Sequence, residues 1–307
     1  MRSYNLRHII LFATLLCTLL AGCLSDTTTG EPNDGVGTCQ NPDSLAFVTA
    51  PRTEFSAYNA TGYTISTRIF DAPQTVSVIR FSPADFSLKP ILSQEVTKVS
   101  DTAKRHNADY AINACYWAVS TGKATTMIKS DGVVLSTTYS SWYPRVNGLL
   151  YMYYNKIEIV QSYDYPDYKG LIEDCDNVIA CGPVLLDDGE RISYDHVTES
   201  EEESMQSKIP FFIERHPRSV IGRDAKGNVY LVVVDGRAEG NAEGMTIAEL
   251  TQVCAWLGMS EAMNLDGGGS STLWSREQGV INHPCDNKKF DHEGERKVLS
   301  TIIVKRK

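Results

Sequence analysis

Residues 264–274 read NLDGGGSSTLW: an apolar lead-in, a carboxylate at Asp266, three glycines, then a row of hydroxyls. Glycine tolerates positive φ and close approach, so the amides of Gly267, Gly268 and Gly269 can turn toward a single anion. Ser270, Ser271 and Thr272 would add hydroxyl donors. A phosphate or an oxyanion is the expected guest. No lysine follows the glycines, which excludes a Walker A loop, and neither serine has the flanking glycines of a GxSxG elbow. Taken alone, the same letters also spell a tight turn whose aspartate accepts local N–H bonds.

Other residues add to the anion reading. HPRS (216–219) places Arg218 behind a stiffening proline, and DGR (235–237) sets Arg237 beside Asp235. Guanidinium forks match phosphate oxygens in pairs. Asn113, in AINACYW (111–117), offers its amide either to a sugar hydroxyl or to a turn. His216 is a candidate general acid or a structural hydrogen-bonder. Trp117, Trp142, Tyr143 and Trp274 could stack on sugar faces or simply pack.

Secondary-structure elements must bring these residues together. NVYLVVVDGR (228–237) holds five apolar residues in a row, the mark of a strand buried on both faces, and runs out at Asp235. TIAELTQVCAWLG (246–258) opens with Thr246 and, three residues on, Glu249, a capping box. Ile247, Leu250, Val253, Cys254 and Leu257 form one apolar stripe, and Gly258 stops the helix. A short strand, AMNLD (262–266), then delivers Asp266. If the two strands are parallel neighbours, Asp235 and Asp266 emerge at one sheet edge. Upstream, alternation marks strands at 63–70 and 75–81, a helix-like stretch at 93–106, and strand-like runs at 108–117, 148–155 and 156–161. The expected fold is α+β, a mixed β-sheet core with few helices, with a βαβ unit over residues 228–266 carrying the site.

A chain of 307 residues, 42% hydrophobic and 22% charged, can bury a sizeable core. Arg2, Arg7, an apolar run over 9–20 that is short for a bilayer span, and LAGC (20–23) read as a secretory leader ending in a lipobox. The expected organisation is a leader over 1–22, a flexible tether over 23–45 and a folded domain over 46–307. Cys23 would be acylated, holding the domain outside the cytoplasm at a bacterial envelope membrane. Without Arg2 and Arg7 the 29 basic residues become 27 against 38 acidic, a balance of −11 that disfavours nucleic acid. Cys39, Cys115, Cys175, Cys181, Cys254 and Cys285 remain, without the paired CxxC spacing of zinc sites and with no choice among disulfide pairings. ESEEES (199–204) reads as a solvated face and lacks the ligand spacing of a calcium loop. No organic cofactor is implied, and a divalent cation has no ligand motif to support it.

The segments AINACYW, CGPVLLDDGE (181–190), HPRSVIG (216–222), VVVDGR (232–237), GMTIAEL (244–250), NLDGGGSSTLW and GERKVLSTIIV (294–304) occur in an order and spacing that resembles the phosphodiester glycosidase family. The resemblance spans residues 60–305. It implies hydrolysis of a sugar linked through its anomeric carbon to a phosphate, releasing free sugar and a phosphomonoester. It also implies a site built from Asn113, Arg218, Asp235, Arg237, Asp266 and the glycines that follow. Where that family often has Asn-Gly-Gly-Phe-Phe, this chain has NACYW (113–117), so side chains replace two glycines beside a site residue. In the expected mechanism Arg218, Arg237 and the 267–269 amides grip the phosphate. Asp266 or Asp235 is nucleophile or base, and the other carboxylate protonates the leaving oxygen or orients an arginine. A carboxyl separation of roughly 5 Å would give retention and one of roughly 6.5–9.5 Å inversion. Two alternatives stand beside this: a phosphoglycan-binding lipoprotein without turnover, and an acyl hydrolase acting through Ser270 or Ser271.

Overall fold

The unbroken apolar run at 230–234 lies between two cores. In β16 (Val229–Val234), Val229, Leu231 and Val233 enter one apolar cluster, while Tyr230, Val232 and Val234 enter another. Side chains alternate across a strand, so a strand apolar at every position needs cover on both faces. The structure, a computed structural model, describes residues 41–162, 170 and 172–307. The expected leader, Cys23, Cys39 and the tether as far as residue 40 lie outside the described residues.

An eight-stranded sheet runs β1 (Arg52–Phe55), β2 (Ala60–Ile69), β3 (Ala72–Phe81), β16, β15 (Arg218–Arg223), β17 (Glu261–Asn264), β13 (Val184–Asp187) and β14 (Glu190–Arg191) in spatial order. The first cluster joins it to two five-stranded sheets. One is β11 (Ile157–Gln161), β10 (Gly148–Met152), β12 (Val178–Cys181), β8 (Ile128–Ser130) and β9 (Val133–Ser136). The other is β19 (Gly279–Val280), β18 (Leu273–Ser275), β5 (Tyr110–Asn113), β20 (Val298–Arg306) and β4 (Phe86–Thr97). A small ribbon pairs β6 (Trp117–Ala118) with β7 (Lys123–Ala124). Helices are few, as expected: α1 (Pro42–Thr49), α2 (Val99–Arg105), α3 (Asp195–Thr198), α4 (Glu203–Gln206), α5 (Ile209–Ile213) and α6 (Ile247–Trp256). Phe47 of α1, Phe212 of α5, and Ile247, Leu250, Val253 and Cys254 of α6 close the second cluster.

Helix α6 keeps the capping box: the Thr246 hydroxyl accepts from Glu249 N, and the Glu249 carboxylate accepts from Thr246 N. Three expectations change. β16 and β17 are parallel but not neighbours, because β15 lies between them and pairs antiparallel with both. Residues 93–97 continue strand β4, captured by pairing with β20, so the helix expected over 93–106 is confined to α2. α1 begins at Pro42, capped by the Asn41 side chain, so residues 42–45 are not tether. Residues 201–204 are exposed, as their charge requires. Among the described residues Cys115, Cys175, Cys181, Cys254 and Cys285 are free thiols, all but Cys285 buried.

Candidate active site

The antiparallel insertion explains why three sequence motifs converge. β15 begins at the edge where β16 and β17 end: Arg218 lies opposite Val234, and Val220 opposite Asn264. Leu265 N then donates to Ser219 O at 2.8 Å and Gly268 N to Pro217 O at 2.8 Å. HPR, DGR and DGGG therefore share one rim.

Asp266 is half-buried there. Its Oδ1 accepts from Gly267 N at 2.9 Å, and Ser270 donates to the same carboxylate. Burial pushes this carboxyl up to about 6, restrained by Ser270, Gly267 N, Arg296 and Arg145. Desolvation disfavours the charged form, and donors and cations restore part of it.

The glycine run does not form the expected amide cradle. Gly267 N is spent on Asp266 and Gly268 N on Pro217. What the glycines supply is space. Gly268 sits at φ +62°, and a Cβ there would lie 3.1 Å from Arg237 Nη2. A Cβ on Gly269 would lie 2.4 Å from Arg296 Nη2. Two guanidiniums thus lie against bare main chain. The serines are more enclosed than expected: Ser270 and Ser271 are 2% and 1% exposed, and the Ser270 hydroxyl serves the Asp266 carboxylate.

Arg237 is exposed, held at φ +60° in the left-handed region, with Nη2 3.5 Å from His216 Nδ1. Burial, then Arg218 and Arg237, lower the His216 imidazole below its usual range. A lowered imidazole favours the uncharged ring, which suits a structural hydrogen-bonder better than a general acid. Arg218 is 1% exposed, and its guanidinium donates to Met245 O at 2.8 Å, Phe211 O at 2.9 Å and Glu214 O at 3.0 Å. It was expected to grip a phosphate. Its Nε and Nη2 are built into the wall, with burial lowering the guanidinium to about 10, and Nη1 is the nitrogen not tied to main chain.

Asn113 is fully buried. Its Nδ2 donates to Asp266 O at 2.6 Å, and its Oδ1 accepts from Ser219 Oγ at 2.7 Å and Thr272 N at 3.1 Å. The amide holds the main chain under Asp266, and at 0% exposure it does not face the cleft. Asp235, 1% exposed, is likewise no nucleophile and orients no arginine. Its Oδ2 meets His283 Nδ1 at 2.8 Å, while Oδ1 accepts from His283 N at 2.9 Å and Asn282 Nδ2 at 3.1 Å. This carboxylate orients a histidine.

The sequence reading missed His283, Arg296 and Arg145. His283 is stacked on Phe290, with centroids 3.8 Å apart, and on His292 at 4.5 Å. Its one letter-level signal was a second His-Pro pair, 283–284, echoing 216–217. Arg296, inside the GERKV segment, holds Asp286 Oδ1 with Nε at 3.0 Å and Nη2 at 2.6 Å. The two side chains that replace the family's glycines, Ala114 and Cys115, are 1% and 2% exposed, so they do not fill the cleft. Trp274 is buried in the core, whereas Trp117 and Trp142 are half-buried. Among the described residues no three His, Cys, Asp or Glu side chains are gathered as a metal site requires.

The model of the phosphodiester glycosidase family matches residues 106–305. A mouse protein, N-acetylglucosamine-1-phosphodiester alpha-N-acetylglucosaminidase, is 26% identical over 230 residues, 74% of this chain and 41% of the relative. The chain thus spans about two-fifths of that relative's length. The fold is similar to the zebrafish catalytic domain of the same name, solved auto-inhibited by its pro-peptide, with TM-score 0.64 and 16% identity over 87% of this chain and 94% of that one. A hypothetical protein from Synechocystis is similar at TM-score 0.59 and 16% identity, covering 83% of this chain and 63% of that one.

Proposed function

The chain belongs to the phosphodiester glycosidase family, and we propose that it hydrolyses a sugar 1-phosphodiester at the anomeric carbon, releasing free sugar and a phosphomonoester. One observation carries this reading: a single carboxyl pushed up to about 6 stands among arginines, in a chain whose net charge is −9. Such a local excess of cations suits an anionic substrate.

A phosphodiester carries one negative charge, and the departing monoester, with its second pKa near about 6, carries close to two. Guanidiniums around the phosphate therefore bind more strongly as the bond breaks, which is what lowers a barrier. The leaving group needs little protonation. Asp266, ionised above about 6, faces the sugar and stabilises the oxocarbenium-like charge at the anomeric carbon. His283, with Nδ1–H donated to Asp235, presents Nε2 as the acceptor for a proton from the attacking water.

The names of the mouse and zebrafish relatives make an α-linked N-acetylglucosamine 1-phosphodiester the first substrate to try. The parent should release reducing sugar from it. Asp266→Asn should lose about three orders of magnitude in kcat, comparable to removing a principal transition-state contact. Near-normal turnover by that variant would remove Asp266 from the chemistry. The binding-only alternative loses its motive, because Ala114 and Cys115, which replace the two glycines, are packed inward. The leader and Cys23 support a lipid-anchored, extracytoplasmic location. Cys23→Ala should abolish labelling by a fatty-acid probe and release the protein from the membrane fraction.

A further inference from the structure

We propose that Arg145, which no sequence motif marks, is a substrate-binding arginine that holds the phosphate beside Asp266; this rests on the reading of the cleft as a phosphodiester site. The Arg145 guanidinium carbon lies 4.1 Å from the centre of the Phe211 ring, 5.5 Å from Trp142 and 5.9 Å from Tyr116. Those rings brace one another: Tyr116 and Trp142 stack at 5.2 Å and 20°, and Phe211 meets Tyr116 edge-on at 6.3 Å and 77°. An aromatic wall of this kind fixes a guanidinium through its face and leaves the in-plane N–H groups for a planar or tetrahedral anion.

The wall stands next to the carboxyl. The Tyr116 hydroxyl donates to Gly182 O at 2.8 Å and reaches Leu265 O at 3.3 Å, one residue before Asp266. Arg145 is also among the cations that restrain the Asp266 carboxyl.

Charge then separates Arg145 from its neighbours. The arginine ion pairs among the described residues involve Arg80, Arg215, Arg223, Arg276, Arg296 and Arg306, and not Arg145. Arg218 approaches the same Phe211 ring at 4.9 Å, but it is 1% exposed, and its Nε and Nη2 donate to main-chain carbonyls. Two guanidiniums on one ring, half-buried and fully buried, repel each other unless an anion offsets them. Arg145 is the more exposed of the two and has no ion pair among the described residues. A phosphate oxygen pair is the ligand chemistry this fits.

Inorganic phosphate titrated calorimetrically into the intact protein tests the assignment, with sugar release measured on the same samples. Arg145→Met should weaken phosphate binding by about 10- to 100-fold, the worth of one or two charge-assisted hydrogen bonds, with an unchanged Tm. Arg145→Lys, which keeps the charge and loses the fork, should weaken it less. The inhibition constant of free sugar should not move in either variant. Phosphate binding equal to the parent's in Arg145→Met, while the parent still cleaves the phosphodiester, overturns the role of Arg145 and leaves the activity standing. A parent that neither binds phosphate nor cleaves the diester overturns both.

Discussion

Asp266 is an acid whose folded-state environment works against its own charge. Burial lifts it from 3.8 to about 6, so between those values the folded protein holds a proton that the unfolded chain has released. Stability from this group is therefore greatest at acid pH and falls as pH rises toward about 6, the cost of ionising a poorly hydrated carboxyl. Activity should move the opposite way. The kcat/KM profile is expected to show an acid limb near 6, and Asp266→Asn should flatten the pH dependence of Tm over the same window without lowering Tm at neutral pH. A limb that persists unchanged in residual Asp266→Asn activity would assign it to another group. Gly269 gives a second test at this scale. The nearest atoms to a methyl there are the ends of the Arg296 and Asp286 side chains, which can swing away. Gly269→Ala should fold with nearly the parent's Tm yet lose activity by about tenfold, as expected when a positioned cation is displaced by an ångström or so. Asp266 and Arg237 stood out in the sequence because their motifs are local, whereas the glycine run, expected as an amide cradle, supplies space instead. His283 and Arg145 did not stand out, since the carboxylate beside His283 and the rings around Arg145 come from distant parts of the chain.

The element that decides the site is β15. Reading the strand, helix, strand pattern gave parallel β16 and β17 and one rim for Asp235 and Asp266, which the structure keeps. It did not place a strand between them, because RSVIGR is short and carries arginine at both ends, with no alternation to mark it. That intervening strand brings Pro217 and Arg218 to the rim. Strands with strong alternation were legible to within a few residues, as at β2 and β3, and so was α6, whose cap is written in Thr246 and Glu249. The stretch at 93–106 misled because Val96, Val99 and Ala103 fit a helix, while pairing with β20 holds the first part extended. Thr246→Ala should cost about 1 kcal/mol in urea unfolding, the usual worth of an N-cap. Glu249→Ala should cost more, because it also releases Arg215, which Glu249 holds at 2.6 Å. Equal costs would make the Arg215 pair energetically silent.

For the whole molecule, an acidic chain of net charge −9 brings Arg218 and Arg237 to one sheet edge, with Arg145 and Arg296 acting on the Asp266 carboxyl there. A field of that sign draws in anions and falls with salt, so kcat/KM on a phosphodiester should decline as ionic strength rises, more than on an uncharged glycoside. The same charge could serve two different reactions, attack at phosphorus or attack at the anomeric carbon. Hydrolysis in water enriched in oxygen-18 separates them, with mass spectrometry of the released phosphomonoester as the readout. Attack at the anomeric carbon leaves that phosphate without label, which is the result the site requires; a phosphomonoester carrying one heavy oxygen would show that the bond to phosphorus is the one cleaved and contradict the account.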